Sequence, residues 1–100
     1  MNFIDQHINE IRQLCFNYRV KQLYALGSVI NKNFNEQSDI DLLVNFESLD
    51  VSEYADNYYD FKFSLEKIFN RQVDLIEDKA IKNPFFRQNI NNKRKLIYGD

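Results

Sequence analysis

The sequence predicts a single α/β domain over residues 1–100, in which a small sheet is flanked by helices. Apolar residues recur at helical spacing in some segments and alternate in others, and the two kinds of segment follow one another along the chain. The 100 residues are 44% hydrophobic, so they can bury one core of ordinary size. Since only two Gly and one Pro are present, the composition is not that of a disordered chain.

The apolar pattern places each element. Helical spacing predicts a helix over residues 3–18 and a long helix over 51–69, with Ser52 as the cap of the latter. Residues 29–34 fit either a short helix or a loop. Asn83 and Pro84 are typical of a helix start and predict a helical turn to about residue 90. Short apolar or alternating runs predict strands at 20–26, 38–46, 72–76 and 95–98.

The strand at 38–46 carries the first chemical signal. Its even-numbered residues from 40 to 46 are apolar and share one face, so Asp39 and Asp41 point together from the other face, with Cα atoms roughly 6.6 Å apart, and Leu43 makes that face only partly wet. Paired carboxylates must be hydrated, protonated or bridged by a cation, and hard oxygen ligands suit Mg²⁺ or Mn²⁺. If the strand at 72–76 lies beside this one, Asp74 joins the pair. The pattern also fits an edge strand protected by charge.

Gly27 and Ser28 carry the second signal, because they directly follow the first predicted strand. Glycine allows a ligand to approach the backbone closely, and the amides of a helix N-terminus attract phosphate. The Ser28 hydroxyl adds one hydrogen-bond donor. Taken alone, the two residues favour an ordinary strand-to-helix turn with a Ser cap.

Together the two signals form a longer motif, in which Gly27-Ser28 is separated by ten residues from Asp39-Ile40-Asp41. This is the G-S-x10-D-x-D signature, and the sequence resembles the minimal nucleotidyltransferases of the DNA polymerase β superfamily. The similarity extends over nearly the whole chain, through LYALGS, SDIDLLVNF, QVDLIED and the last twenty residues. The resemblance implies a polymerase-β-like nucleotidyltransferase fold with a small mixed sheet.

The resemblance also implies roles for particular residues. Asp39, Asp41 and Asp74 are expected to bind Mg²⁺ (or Mn²⁺) and to form the catalytic set, and Gly27 and Ser28 are expected to hold the β- and γ-phosphates of a nucleoside triphosphate. Many members carry an arginine shortly after the Gly-Ser pair. Here Lys32 lies in that stretch, and it is expected to supply the charge without the bidentate geometry of a guanidinium group.

The implied reaction is attack of a hydroxyl on the α-phosphorus of ATP or another NTP, with release of pyrophosphate. Members of this size often pair with HEPN-domain proteins, and some are antitoxins that transfer AMP to a HEPN ribonuclease toxin. A HEPN-domain protein is therefore the expected partner. Two alternatives stay open: a module that neutralises its partner by binding alone, and a nucleotidyltransferase that modifies a small molecule.

Charge and composition limit the other partners. The formal net charge of −2 does not favour direct binding to nucleic acid, although residues 36–60 hold eight acidic groups and residues 79–100 hold six basic ones. The asymmetry fits solvated faces, or a basic end that meets an acidic partner or a triphosphate. No apolar run approaches a membrane span, and no signal peptide is recognised. The lone Cys15 fits a reducing cytoplasm, the expected location.

Overall fold

The structure is a computed structural model, and it describes residues 2–26 and 39–99. The strands of these residues form one four-stranded sheet with the order β3-β2-β1-β4. Strand β1 is antiparallel to both of its neighbours, whereas β2 and β3 are parallel, so the sheet is mixed as expected. The strands are β1 (Val20–Leu26), β2 (Ile40–Phe46), β3 (Val73–Glu77) and β4 (Lys95–Tyr98).

Helices account for most of the remaining described residues. They are α1 (Asn2–Asp5), α2 (Ile8–Asn17), α3 (Val51–Phe69) and α4 (Pro84–Lys93), with a 3-10 turn at Asp78–Ala80. The predicted bounds of β1, α3 and β4 are confirmed. The prediction of a single helix over residues 3–18 is wrong, because the helix is interrupted between α1 and α2. There the His7 N–H donates to the Ile4 carbonyl at 3.0 Å, three residues back, which tightens the backbone into a turn.

Three other elements differ from their predicted bounds. Strand β2 begins at Ile40 rather than at residue 38, β3 covers Val73–Glu77 rather than 72–76, and α4 continues to Lys93. The start of α3 is capped differently from the expectation: Asp50 is the capping residue, its side chain makes no capping bond, and its carbonyl accepts the Glu53 N–H at 3.0 Å. The prediction of Ser52 as the cap is therefore wrong, because Ser52 lies inside the first helical turn. The segment at 29–34 lies outside the described residues.

The main core lies between one face of the sheet and the helices α2 and α3. The alternation predicted for β2 is confirmed, because its even-numbered residues are buried on this face. Phe61 and Leu65 of α3 and Cys15 of α2 are fully buried against them. Among the described residues, no helix combines the length and the apolar character that a membrane crossing requires.

Helix α4 lies over part of the second face of the sheet. Ile90 packs there against Leu26 of β1 and Leu43 of β2, and the three side chains are buried. Asn83 caps this helix, since its Oδ1 accepts the N–H groups of Phe85 and Phe86 at 2.9 and 3.1 Å. The face that carries the polar residues of β2 is therefore half covered by a helix.

Candidate active site

Two of the predicted carboxylates are direct neighbours in the sheet. The parallel register of β2 and β3 pairs Asp41 with Asp74, so both side chains lie on the face that α4 partly covers. Asp39 comes immediately before β2, two residues from Asp41. The condition under which Asp74 joins the pair is therefore met, since β3 lies beside β2, and the sheet brings together residues that are far apart in sequence.

The charges of Asp39 and Asp74 act on Asp41. Burial raises the pKa of Asp41, and the negative charges of Asp74 and Asp39 raise it further. Asp41 is only partly accessible to solvent, whereas Asp39 and Asp74 are exposed. The fold therefore disfavours the ionised form of Asp41, and a cation placed beside it would offset both the burial and the repulsion.

Asp41 and Asp74 open into a cleft of about 350 Å³ between the sheet and α4. Aliphatic side chains from β1, β3 and α4 line one part of it. An aromatic ring, an amide and an ammonium group, all from α4, line another part. Leu26, which directly precedes Gly27 in the sequence, is one of the apolar residues. The complete lining is Leu26, Asp41, Asp74, Ile76, Phe86, Asn89, Ile90 and Lys93.

The donor chemistry of this site fits a hard divalent cation. Within residues 2–26 and 39–99, no group of three acidic, histidine or cysteine side chains is placed so that it could hold a metal ion by itself. Mg²⁺, however, is commonly bound by one or two carboxylates together with substrate phosphates and water. The adjacent carboxylates of Asp41 and Asp74 meet that requirement, and a bound cation would favour the ionised form of Asp41.

The predicted phosphate-binding residues stay predictions. Gly27, Ser28 and Lys32 all lie between residues 27 and 38, outside the described part of the chain. Asp39 acts on the charge of Asp41 but does not line the cleft itself. Of the six predicted site residues, the structure thus brings Asp41 and Asp74 together in one cleft and places Asp39 beside them.

Sequence reasoning missed two residues of the cleft, Phe86 and Asn89. Together with Ile90 and Lys93 they occur at spacings of three, one and three, which is the spacing of one helix face. The helix was predicted to end at about residue 90, so this stripe was not recognised. Continuing the helical pattern to Lys93 would have revealed it.

Known proteins are similar to this chain in sequence. Residues 8–97 match the family described as the nucleotidyltransferase domain. A protein of Methanocaldococcus jannaschii, named as a candidate protein adenylyltransferase, is 36% identical over 81 residues, which is 81% of this chain and 78% of that protein.

Solved structures have the same fold. A candidate minimal nucleotidyltransferase superposes with a TM-score of 0.77 at 23% identity, covering 92% of this chain and 90% of that one. A complex of a tri-AMPylated Shewanella oneidensis HEPN toxin with its minimal nucleotidyltransferase antitoxin contains a chain that superposes with a TM-score of 0.65. The two chains are 20% identical, and the match covers 96% of this chain and 72% of the chain in the complex. The polymerase-β-like fold is therefore confirmed. Because the family match spans most of the chain, this protein belongs to the nucleotidyltransferase domain family.

Proposed function

We propose that this nucleotidyltransferase transfers AMP from ATP, in a reaction that needs Mg²⁺, to a hydroxyl of a partner protein. The observation that carries the proposal is the pairing of Asp41 with Asp74 at the mouth of a cleft, with Asp39 beside them. The name of the archaeal relative and the AMP groups on the Shewanella toxin support adenylyl transfer to protein.

Asp39, Asp41 and Asp74 would hold Mg²⁺, which when bound neutralises phosphate charge and polarises the phosphorus. The acceptor oxygen forms a bond to the α-phosphorus, and the bond from that phosphorus to the oxygen bridging to the β-phosphorus breaks, releasing pyrophosphate. The hydroxyl proton passes to a carboxylate, and Asp74 is suited to accept it because it is exposed at the mouth of the cleft. Gly27, Ser28 and Lys32 would hold the remaining phosphates.

The proposed partner is a HEPN-domain toxin, whose activity the modification would suppress. Support comes from the Shewanella complex, in which the neighbour of similar fold is the antitoxin of such a toxin. The chain also has a candidate contact surface of its own: Tyr59 and Phe63 on α3 are half exposed, and their rings stack with centroids 6.1 Å apart.

Transfer of label from α-³²P-ATP to a co-expressed HEPN-domain protein tests the proposal. We expect a labelled partner band with the wild type and Mg²⁺, and none with Asp39→Asn or Asp41→Asn. Asp60→Asn is the matched control, since it removes an exposed carboxylate of α3 on the opposite side of the sheet. Undiminished labelling by both site variants would contradict the proposal.

The exposed Tyr59–Phe63 pair also favours a second candidate, a module that inhibits its partner by binding alone. It requires that the Asp39→Asn and Asp41→Asn variants inhibit the partner as well as the wild type does. If these variants bind the partner without inhibiting it, that candidate is excluded. Labelling of a small alcohol without any protein acceptor would instead indicate the third alternative, a small-molecule nucleotidyltransferase.

A further inference from the structure

We infer that one face of α4 recognises the nucleobase of the bound ATP, with Phe86 stacking on the base and Asn89 hydrogen-bonding to its edge. The inference rests on the proposed function, because it concerns how the same cleft selects its nucleotide. Phe86, Asn89 and Lys93 line this cleft on the helix, opposite Asp41 and Asp74 on the sheet.

Three contacts connect α4 to the rest of the domain. Asn83 caps its first turn, and the Arg87 Nη1 lies 2.6 Å from Oδ1 of Asp78 near the same end. At the other end, the Arg94 guanidinium carbon lies 4.3 Å from the centre of the Tyr24 ring. Ile90 is buried against the sheet between them. Contacts at both ends and in the middle therefore hold the stripe against the cleft.

The chemistry of this stripe matches a nucleotide. Phe86 is 45% exposed, so it offers part of a flat aromatic surface to the cleft. Aromatic rings of this kind stack on bases. An asparagine amide can pair with adenine through N6 and N7, because it presents one acceptor and one donor side by side. Lys93 adds a cation that suits the phosphates.

The site of transfer determines where the base can go. Because the α-phosphate must lie beside Asp41 and Asp74, the ribose and base extend from there along a wall of the cleft. Among the described residues that line the cleft, Phe86 is the aromatic one, and it lies on α4. The volume of about 350 Å³ is within the usual range for small-molecule sites. A base on α4 therefore accounts for the ring and the amide together.

The first test is the affinity for ATP with Mg²⁺, measured by calorimetry on the full chain. We expect Phe86→Ala to weaken binding about tenfold, the order of loss found when a base loses its aromatic partner, and Phe86→Tyr to retain binding. Phe85→Ala is the matched control, because Phe85 is 82% exposed and does not line the cleft. Wild-type affinity in Phe86→Ala would overturn the assignment.

The second test compares ATP with inosine triphosphate, in which a carbonyl oxygen replaces the N6 amino group. The wild type should prefer ATP by about tenfold, and Asn89→Ala should bring this ratio close to one, since one bidentate pair provides discrimination of that order. Asn91→Ala, an exposed asparagine outside the cleft, should retain the preference. A preference equally strong in Asn89→Ala would contradict the inference.

The two proposals fail in different ways. If Phe86→Ala and Asn89→Ala bind ATP normally and lose only transfer to the partner, this face contacts the acceptor and the inference is wrong. If the wild type binds ATP through these residues but labels no acceptor, the inference holds and the proposed protein adenylylation fails. Circular dichroism confirms folding, and both replaced side chains belong to exposed residues rather than to the core.

Discussion

Arg87 of α4 is bound to Asp78 in the turn that follows β3. Its Nη1 lies 2.6 Å from Oδ1 of Asp78, and its Nη2 donates to the Asp78 carbonyl oxygen, also at 2.6 Å. One guanidinium group thus uses two nitrogens on one residue, which an ammonium group cannot reproduce with the same geometry. The contact joins the helix that lines the cleft to the strand that carries Asp74.

Loss of this contact should lower stability. We expect Arg87→Ala to reduce the free energy of unfolding by about 1 kcal/mol, because the pair is partly exposed and solvent weakens it. Arg87→Lys should recover only part of the loss. Urea denaturation measures the effect, and Gln88→Ala, on the exposed surface of the same helix, is the control. Equal midpoints for Arg87→Ala and Gln88→Ala would show that the contact does not stabilise the fold.

The neighbouring carboxylates should lower the stability of the folded protein when no cation is bound. Because burial and the charges of Asp74 and Asp39 raise the pKa of Asp41, its ionised form is disfavoured in the folded chain. In the presence of a chelator we expect Asp41→Asn to raise the melting temperature by about 2–4 °C, a gain kept small by solvent screening.

Addition of Mg²⁺ should reverse the order. The wild type should gain stability as the cation binds, and Asp41→Asn should gain less. Asp60→Asn, which removes an exposed carboxylate far from the cleft, should respond like the wild type. A lower melting temperature for Asp41→Asn in chelator would show that the repulsion is already relieved within the protein.

Cys15 should be chemically inert in the folded protein. Burial raises the pKa of its thiol from 9.0 to about 12, so the reactive thiolate is scarce at pH 8. Ellman's reagent should therefore react slowly in buffer and rapidly in urea. Fast labelling of the native protein, at a rate independent of stability, would contradict the burial. Because the thiol ionises more easily in the unfolded chain, its contribution to stability should decline as the pH rises from about 9 towards 12.

Two phenylalanines on α3 should respond very differently to truncation. Phe61 is fully buried, with ring centroids 5.9 Å from Tyr18 and 5.8 Å from Phe46, whereas Phe63 is 51% exposed. Phe61→Ala should cost about 3–5 kcal/mol, and Phe61→Leu should leave a folded protein of lower stability. Phe63→Ala should change the free energy of unfolding by less than about 0.5 kcal/mol. Similar losses at both positions would place Phe63 in the core.

Much of the secondary structure could be predicted because side-chain periodicity is local. Alternation determined which face of β2 is buried, and the spacing of apolar residues determined the bounds of α3. The break between α1 and α2 could not be predicted in the same way. The apolar stripe continues across His7, so periodicity gives no sign of the break. The first helix ends in a turn that is closed by a hydrogen bond from the His7 N–H to the Ile4 carbonyl.

The candidate site shows the same division. The G-S-x10-D-x-D motif pointed to nucleotidyl transfer through its family resemblance, because Gly27-Ser28 and the Asp39/Asp41 pair lie at a fixed spacing within one short stretch of sequence. The stripe of Phe86 and Asn89 could be interpreted only once α4 was seen to line the cleft.

The sequence by itself thus determined most of the elements, the buried face of β2 and the carboxylate motif, since each depends on residues that are close together in the chain. Only the tertiary structure decided that β3 lies parallel to β2, so that Asp74 faces Asp41, and that α4 lies over them. Strand pairing and helix docking depend on hydrogen bonds and apolar burial between distant segments, such as Ile90 against Leu43. Periodicity within a segment carries no information about which distant segment it will meet.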